Sequence, residues 1–341
     1  MTDLEFKEVL EKWLSYKFQK ECKIINIIPL SGGACQENSL LEIKFLDNEE
    51  IQKFVYRSDK GSALFASLPR EYEFRVAQLA YQYGVKTPKP YFLEETGEVT
   101  GKKFYIMEAL KGTTDVRYIT KDPSFNAVRP IFLEELARNL ALIHSITIDN
   151  ENIDFLLKIY NREFPFHPAK FAIEEMKQEI EKLDEPHPAM YLVLNWLEGN
   201  IPQNELITLV HGDFRTGNFM VSEKGLEGIL DWEFAHLGNP DEDISWFCLR
   251  DWRFGQIKKE AGGIAEREEF YELYEKYSKR KIDPKSILFW EVMGNLRWAV
   301  GTIGQAERHL QGKTRGIELA AIGRRTAEME YEMMRLIENA I

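Results

Sequence analysis

The chain has 341 residues, 44% hydrophobic and 29% charged, which is the composition of a folded globular protein, and its length favours two lobes over a single core. A formal net charge of -12 repels polyanions, so neither nucleic acid nor an anionic membrane is expected as the main partner. Three cysteines without a CxxC give no disulfide framework or cysteine-rich zinc site; with no signal peptide and no apolar run near ~18 residues, a cytoplasmic protein is expected.

Residues 4–20 place Leu4, Val9, Leu10, Trp13 and Leu14 on one side of a helix. Ile24 to Leu30 is β-rich and runs into Ser31-Gly32-Gly33. Leu40 to Leu46 and Ile51 to Arg57 are further strands, with Asp47-Asn48-Glu49 as the polar turn between them. Residues 69–83 read as a helix with Pro69 in its first turn, Tyr72, Val76, Leu79 and Tyr83 at spacings of three and four, and Gly84 closing it. Strands near 91–93 and 104–107 complete an α+β pattern. The expected organisation is a two-lobed fold: a small antiparallel β lobe over residues 1–108 and a larger, mainly helical lobe over 109–341. In the second lobe, helices are expected over 132–143, 169–183, 287–307 and 314–339, and a β-rich stretch at 207–231 interrupts them.

That stretch carries the chemistry. It reads Leu209-Val210-His211-Gly212-Asp213-Phe214-Arg215-Thr216-Gly217-Asn218, and an Asp followed five positions later by an Asn matches the kinase catalytic loop. A hydroxyl nucleophile needs a carboxylate to orient it and take its proton. An amide oxygen one loop-turn away can hold the metal that binds the phosphates. Phe219 to Ser222, Glu223-Lys224-Gly225 and Leu226 to Leu230 then read as strand, tight turn and strand. The hairpin brings Asn218 and Asp231 side by side as oxygen ligands suited to Mg²⁺. Taken singly, His-Gly-Asp is a turn, Asp231 a strand end or helix cap, and Asn218 a turn residue. In this order, joined by a hairpin, they point to phosphoryl transfer.

The chain resembles the aminoglycoside phosphotransferase and choline kinase group of small-molecule kinases. It looks closest to the branch related to kinase domains fused to acyl-CoA dehydrogenases. The resemblance rests on His211-Gly212-Asp213 with Asn218, Leu230-Asp231-Trp232-Glu233, Gly238-Asn239-Pro240 with Asp243-Ile244, and Leu30-Ser31-Gly32-Gly33. Arg70-Glu71, Phe104 to Glu108, Leu142-Ile143-His144-Ser145 and Asn295-Leu296-Arg297 extend it over nearly the whole chain. It implies a protein-kinase-like fold that moves the γ-phosphate of ATP (or GTP) to a small-molecule hydroxyl. Asp213 would be the base, Asn218 and Asp231 the Mg²⁺ ligands, and Arg215 a cation near the γ-phosphate or a surface ion pair. Asp243 would anchor the catalytic loop, His211 would brace it, and Glu233 would assist the metal or face solvent. Ser31, Gly32, Gly33 and Ala34 would approach the phosphates, or form an ordinary turn. The linker backbone at Met107 and Ala109 would hold the nucleobase, unless this is a plain edge strand.

The chain departs from the kinase pattern at the strand lysine. Arg57 stands there, with Glu71 expected as its helix partner, an ion pair facing the phosphates. Arginine keeps the charge but changes reach and geometry, which leaves open a nucleotide-binding scaffold without chemistry. A resistance kinase acting on aminoglycosides is a further alternative. A metallohydrolase built on His211, Asp213, His236 and Asp241 lacks a helix with paired histidines and leaves the small lobe unexplained. The acceptor is expected between Asp213 and the helices around 150–205, with Tyr160, Phe164, Phe166 and Trp196 either lining its pocket or filling the core.

Overall fold

The computed structural model describes residues 2–30, 36–47, 50–59, 67–151, 153–203, 206–312 and 316–340. In chain order these form α1 (Asp3–Phe18), β1 (Cys22–Pro29), β2 (Gln36–Phe45), β3 (Ile51–Asp59), α2 (Arg70–Gln82), β4 (Pro90–Glu94), β5 (Phe104–Glu108), α3 (Val116–Lys121) and α4 (Arg129–Ile143). Then come α5 (Phe155–Ile159), α6 (Pro168–Glu181), α7 (Pro188–Gly199), β6 (Thr208–Val210), β7 (Phe219–Ser222), β8 (Gly225–Ile229), β9 (His236–Gly238) and α8 (Asp241–Cys248). Helices α9 (Arg267–Ser278), α10 (Pro284–Leu310), α11 (Ile317–Gly323) and α12 (Thr326–Glu338) close the chain.

The backbone divides into two compact units, Met1–Ile143 with Gly217–Ala235, and His144–Thr216 with His236–Ile341. This differs from the single break expected after residue 108. Two bonds explain why: Thr113 and Val221 exchange backbone hydrogen bonds of 2.9 and 3.0 Å, which ties the β7–β8 hairpin to the chain leaving β5. The Phe132 ring of α4 adds an edge contact to Phe219 of β7.

In the first unit, five antiparallel strands lie in the order β1-β2-β3-β5-β4. Helix α1 opens with a capping box, in which Thr2 Oγ1 accepts the Glu5 N–H and a Glu5 carboxylate oxygen accepts the Thr2 N–H. Its Leu10 and Leu14 join Ile24, Leu41, Ile43, Phe54, Phe104 and Ile106 in one core. Trp13 and Phe18 meet Phe104 and Phe54 at ring centroids 4.9 and 5.1 Å apart. β3 is buried from Phe54 through Ser58, so it carries no clean alternation, as befits a strand covered on both faces.

The second unit is helical apart from the short β6–β9 pair. Its core joins α6, α7, α10 and α12 through Ile173, Met176, Met190, Leu197, Phe289, Met293, Leu296 and Met333. Truncating one of these to alanine costs about 2–5 kcal/mol. Trp196 packs against this core, which decides its expected role in favour of packing. The helix expected over 314–339 is broken between α11 and α12, where the Thr326 hydroxyl bonds the Gly323 carbonyl at 2.9 Å. Cys22 and Cys248 are free and buried. Among the described residues no helix is long and apolar enough to cross a membrane.

Candidate active site

In the second unit β6 delivers the chain to His211-Gly212-Asp213, and Gly212 takes the left-handed φ of +79° that the turn requires. Two successive backbone donors point at one carboxylate: the His211 N–H bonds Asp243 Oδ2 at 2.7 Å and the Gly212 N–H bonds Asp243 Oδ1 at 2.9 Å. Asp243 sits in the first turn of α8 and is fully buried. Behind it, His144 Nε2 lies 3.2 Å from Asp243 Oδ2 and His144 Nδ1 lies 2.8 Å from the Tyr274 hydroxyl. Since the carboxylate can only accept, Nε2 is the protonated nitrogen and Nδ1 accepts from Tyr274. Burial pushes the Asp243 carboxyl up, but the bond from His144 and the backbone donors outweigh it and hold it below the ordinary range. Burial likewise holds His144 below its ordinary value, against the opposing pull of Asp243.

Asp213 itself is 7% exposed. Its Oδ1 accepts from Trp246 Nε1 at 2.9 Å and from Arg215 Nε at 2.9 Å, and the same Arg215 nitrogen lies 3.2 Å from Oδ2. The Arg215 guanidinium is stacked 4.6 Å above the Trp252 ring, so its planar head is fixed as well as paired. Thr216 closes the loop by bonding the Gly262 carbonyl at 2.7 Å. The carboxylate is therefore held in one orientation by charge and by an indole donor.

In the first unit, Asn218 and Asp231 flank the β7–β8 hairpin. Phe219 pairs with Ile229, and the Leu230 N–H bonds the Asn218 carbonyl at 2.8 Å, so the two candidate ligand positions are neighbours across one register step. The turn needs a glycine at Gly225: its φ is +122°, and a Cβ there would stand 2.4 Å from Glu135 Oε2. Glu135 anchors the turn to α4, accepting from the Leu226 N–H at 2.7 Å and pairing with Lys86 at 2.6 Å. Asp231 has a left-handed backbone, φ +69° and ψ +67°, uncommon for a residue with a Cβ, and its side chain is 25% exposed. Asn218 is 6% exposed. An amide oxygen and a carboxylate, adjacent and both hard donors, fit Mg²⁺ with phosphate and water completing the shell.

Arg57 on β3 is 5% exposed and bonds two carboxylates. Its Nε and Nη2 donate to Glu73 Oε1 at 2.9 and 2.6 Å, and Nη2 also donates to Asp231 Oδ1. Burial alone would lower the guanidinium, but the charges of Glu73 and Asp231 more than reverse that and raise it well above the ordinary range. Arg70 continues the chain of charges, bonding Glu73 Oε2 and, at 3.0 and 2.8 Å, Asp59 Oδ1. The partner expected from the sequence was Glu71. Glu71 instead pairs with Lys103 at 3.0 Å. α2 starts at Arg70, and two residues along an α-helix turn through about 200°, so Glu71 and Glu73 point to opposite sides. The signal was present: Glu73, Val76, Ala77 and Ala80 fall at i, i+3, i+4 and i+7, and all are buried.

The remaining expectations fall as follows. Met107 lies inside the sheet, facing Val55 of β3 and Pro90 of β4, so β5 is no edge strand, and Ala109 follows it in the connecting chain. Ser31, Gly32, Gly33 and Ala34 lie outside the described residues. Glu233 is buried and accepts from the Ser67 hydroxyl at 3.1 Å, so it does not face solvent. Of the metallohydrolase set, His236 pairs with Glu242 and Asp241 with Arg280. Among the described residues no three His, Cys, Asp or Glu side chains are grouped to hold a metal. Sequence reasoning missed Glu73, Trp246 and the role of His144. Asp243 and Trp246 are three apart on α8 and both address the His211–Asp213 loop, a helical spacing that the sequence displays.

The model of the phosphotransferase enzyme family matches residues 28–279. Mouse acyl-CoA dehydrogenase family member 10 is 29% identical over 220 residues, 63% of this chain but 19% of that protein's length. This likeness to a region of a much longer protein agrees with the resemblance drawn from the sequence. A candidate aminoglycoside phosphotransferase from Ralstonia eutropha superposes with a TM-score of 0.72 at 25% identity, covering 96% of this chain and 98% of that one. A spectinomycin phosphotransferase solved with ADP and spectinomycin shares the fold at a TM-score of 0.59 and 14% identity, covering 96% and 98%.

Proposed function

This chain belongs to the phosphotransferase enzyme family, and from that membership we propose that it moves the γ-phosphate of ATP or GTP to a hydroxyl group of a small molecule. The observation that carries this reading is the state of Asp213. Its carboxylate is oriented by Trp246 and Arg215 on a loop tied down by Asp243. A carboxylate held that way orients an attacking hydroxyl and accepts its proton as the new O–P bond forms and the bond to the nucleoside diphosphate breaks. Arg215 adds positive charge beside the transferring phosphoryl group.

Asn218 and Asp231 would hold Mg²⁺, which when bound neutralises phosphate charge and aligns the γ-phosphate. Arg57 steadies Asp231 and adds a permanent positive charge on the nucleotide's side, with Glu73 as its counter-ion. Met107 and Ala109 offer backbone groups to the nucleobase, and Ser31, Gly32, Gly33 and Ala34 offer theirs to the phosphates; these four and the linker pair rest on the resemblance alone. The test is phosphotransfer from ATP with Mg²⁺, and separately from GTP, to a panel of hydroxylated metabolites, read by product mass. A product heavier by one phosphoryl group is expected. Nucleotide binding with no transfer to any acceptor would favour a scaffold.

A further inference from the structure

Among the described residues, buried and partly buried arginines are almost all compensated. Arg57, Arg70, Arg267, Arg280 and Arg297 each bond at least one carboxylate. Arg129, which bonds none, has all three nitrogens engaged by two backbone carbonyls and the Asn126 side chain. Arg162 stands apart. It lies in the segment between α5 and α6, and its one hydrogen bond runs from Nη1 to the Leu237 carbonyl at 2.7 Å. Its Nε is buried and has no hydrogen-bond partner. Among the described residues no carboxylate lies within ion-pair distance of it. Three aromatic rings surround the guanidinium instead, with centroids at 3.9 Å for Phe171 and 5.1 Å for both Tyr160 and Phe166.

Ring faces soften the desolvation of a cation, but they do not accept the directed N–H bonds of a fork with five donors. A desolvated charge lacking an ionic partner is costly, and burial duly holds this guanidinium below its ordinary value. The charged groups around it do not cancel it. Glu242 is already taken, accepting from Arg297 at 2.7 Å and from the Asn239 N–H at 2.9 Å, with His236 at 3.2 Å. Glu175 attracts Arg162 without bonding it, and Arg297 repels it. Location gives the cation a task. Leu237, which holds Arg162, pairs with Leu209 across β6 and β9, and β6 runs into Asp213 four residues later.

We infer that Arg162 is an anion-recognition residue for the phosphoryl acceptor, so that the acceptor carries a carboxylate or phosphate as well as the hydroxyl that is phosphorylated. The inference rests on the kinase reading and narrows it: a polycationic aminoglycoside would meet a cation of its own sign. The planar fork receives the anion through paired N–H bonds, and the three rings make a dry wall suited to an acyl or ring portion.

The probe is calorimetric titration, with Mg-ADP present, of hydroxycarboxylates, sugar phosphates, their neutral amide or unphosphorylated counterparts, and amino alcohols. At least one anionic class is expected to bind, at least tenfold tighter than its neutral counterpart. The carboxylate and phosphate arms tell the two anions apart. In Arg162→Gln that preference should disappear while Mg-ADP affinity is unchanged, and Arg162→Lys should restore part of it. Should Arg162→Gln fail to fold, Arg162→Lys and the anion-to-neutral ratio of the wild type decide the matter. Neutral or cationic compounds binding as well as anions, no binding of any anion, or full anion affinity in folded Arg162→Gln would each overturn the inference. Loss of Mg-ADP binding by the wild type would instead strike at the kinase reading beneath it.

Discussion

The two halves of the candidate machinery are stabilised in different ways. Around Arg57, charges compensate one another in a row that is buried at Arg70, Glu73 and Arg57 and open at its ends, Asp59–Arg70–Glu73–Arg57–Asp231, and the Arg57–Asp231 contact spans 174 positions. Around Asp213, the partners are Arg215 two positions away and, from one turn of α8, the Trp246 donor and the Asp243 carboxylate that accepts from the loop backbone, with neutral His144 and Tyr274 behind them. The first arrangement makes each member dependent on every other, since a buried charge left alone is heavily penalised. The second fixes a loop mostly with backbone donors and an indole, so single changes there should alter chemistry before they alter folding.

That contrast can be broken at four points, beginning with the largest effect. Asp213→Asn keeps shape and removes basicity, and should lower turnover on the true acceptor by roughly 10²–10⁴-fold with the melting temperature little changed. Glu73→Gln leaves Arg57 and Arg70 short of a shared counter-ion. It should cost about 3–5 kcal/mol in denaturant unfolding, whereas Glu71→Gln, breaking a more exposed pair with Lys103, should stay within about 1 kcal/mol. Equal losses for the two would mean that the buried row is not what holds the first unit.

Trp246→Phe keeps an aromatic side chain, smaller than the indole, and deletes one donor to Asp213. A roughly tenfold fall in kcat is expected with KM for ATP unaltered, consistent with about 1.5 kcal/mol for a hydrogen bond to a charged group. The smallest effect concerns pH. His144 is held below its ordinary value in the folded protein, so the unfolded chain takes up its proton first as pH falls. Its contribution is full above pH ~6.5 and declines as acid is added below that. Asp243, also depressed, adds a loss at still lower pH. Stability followed against pH should therefore decline less steeply below pH ~6.5 in His144→Gln than in the wild type; an identical slope would remove His144 from the account.

Legibility in the sequence followed range. The β7–β8 hairpin was readable because strand, glycine turn and strand are contiguous, and its register then sets Asn218 beside Leu230. The β2–β3 pair was readable for the same reason, as two β-rich runs joined by a short polar turn. The partner of Arg57 was misplaced: the kinase pattern of a helix glutamate was laid on Glu71, although the buried stripe 73-76-77-80 was in view and puts Glu73 on the inner face. The Arg57–Asp231 contact had no local signature at all, being made by two elements far apart in the chain. The break at 323–325 depended on a single threonine hydroxyl, which periodicity over a long window does not register.

The division of labour between the two halves is tested most directly by measuring Mg-ATP affinity and acceptor turnover together in Asp213→Asn and Asp231→Asn. Asp213→Asn should bind Mg-ATP within a few-fold of the wild type while losing turnover. Asp231→Asn should lose both, and with them the thermal stabilisation that Mg-ATP gives. Near wild-type turnover in Asp213→Asn, or undiminished Mg-ATP binding in Asp231→Asn, would contradict the account.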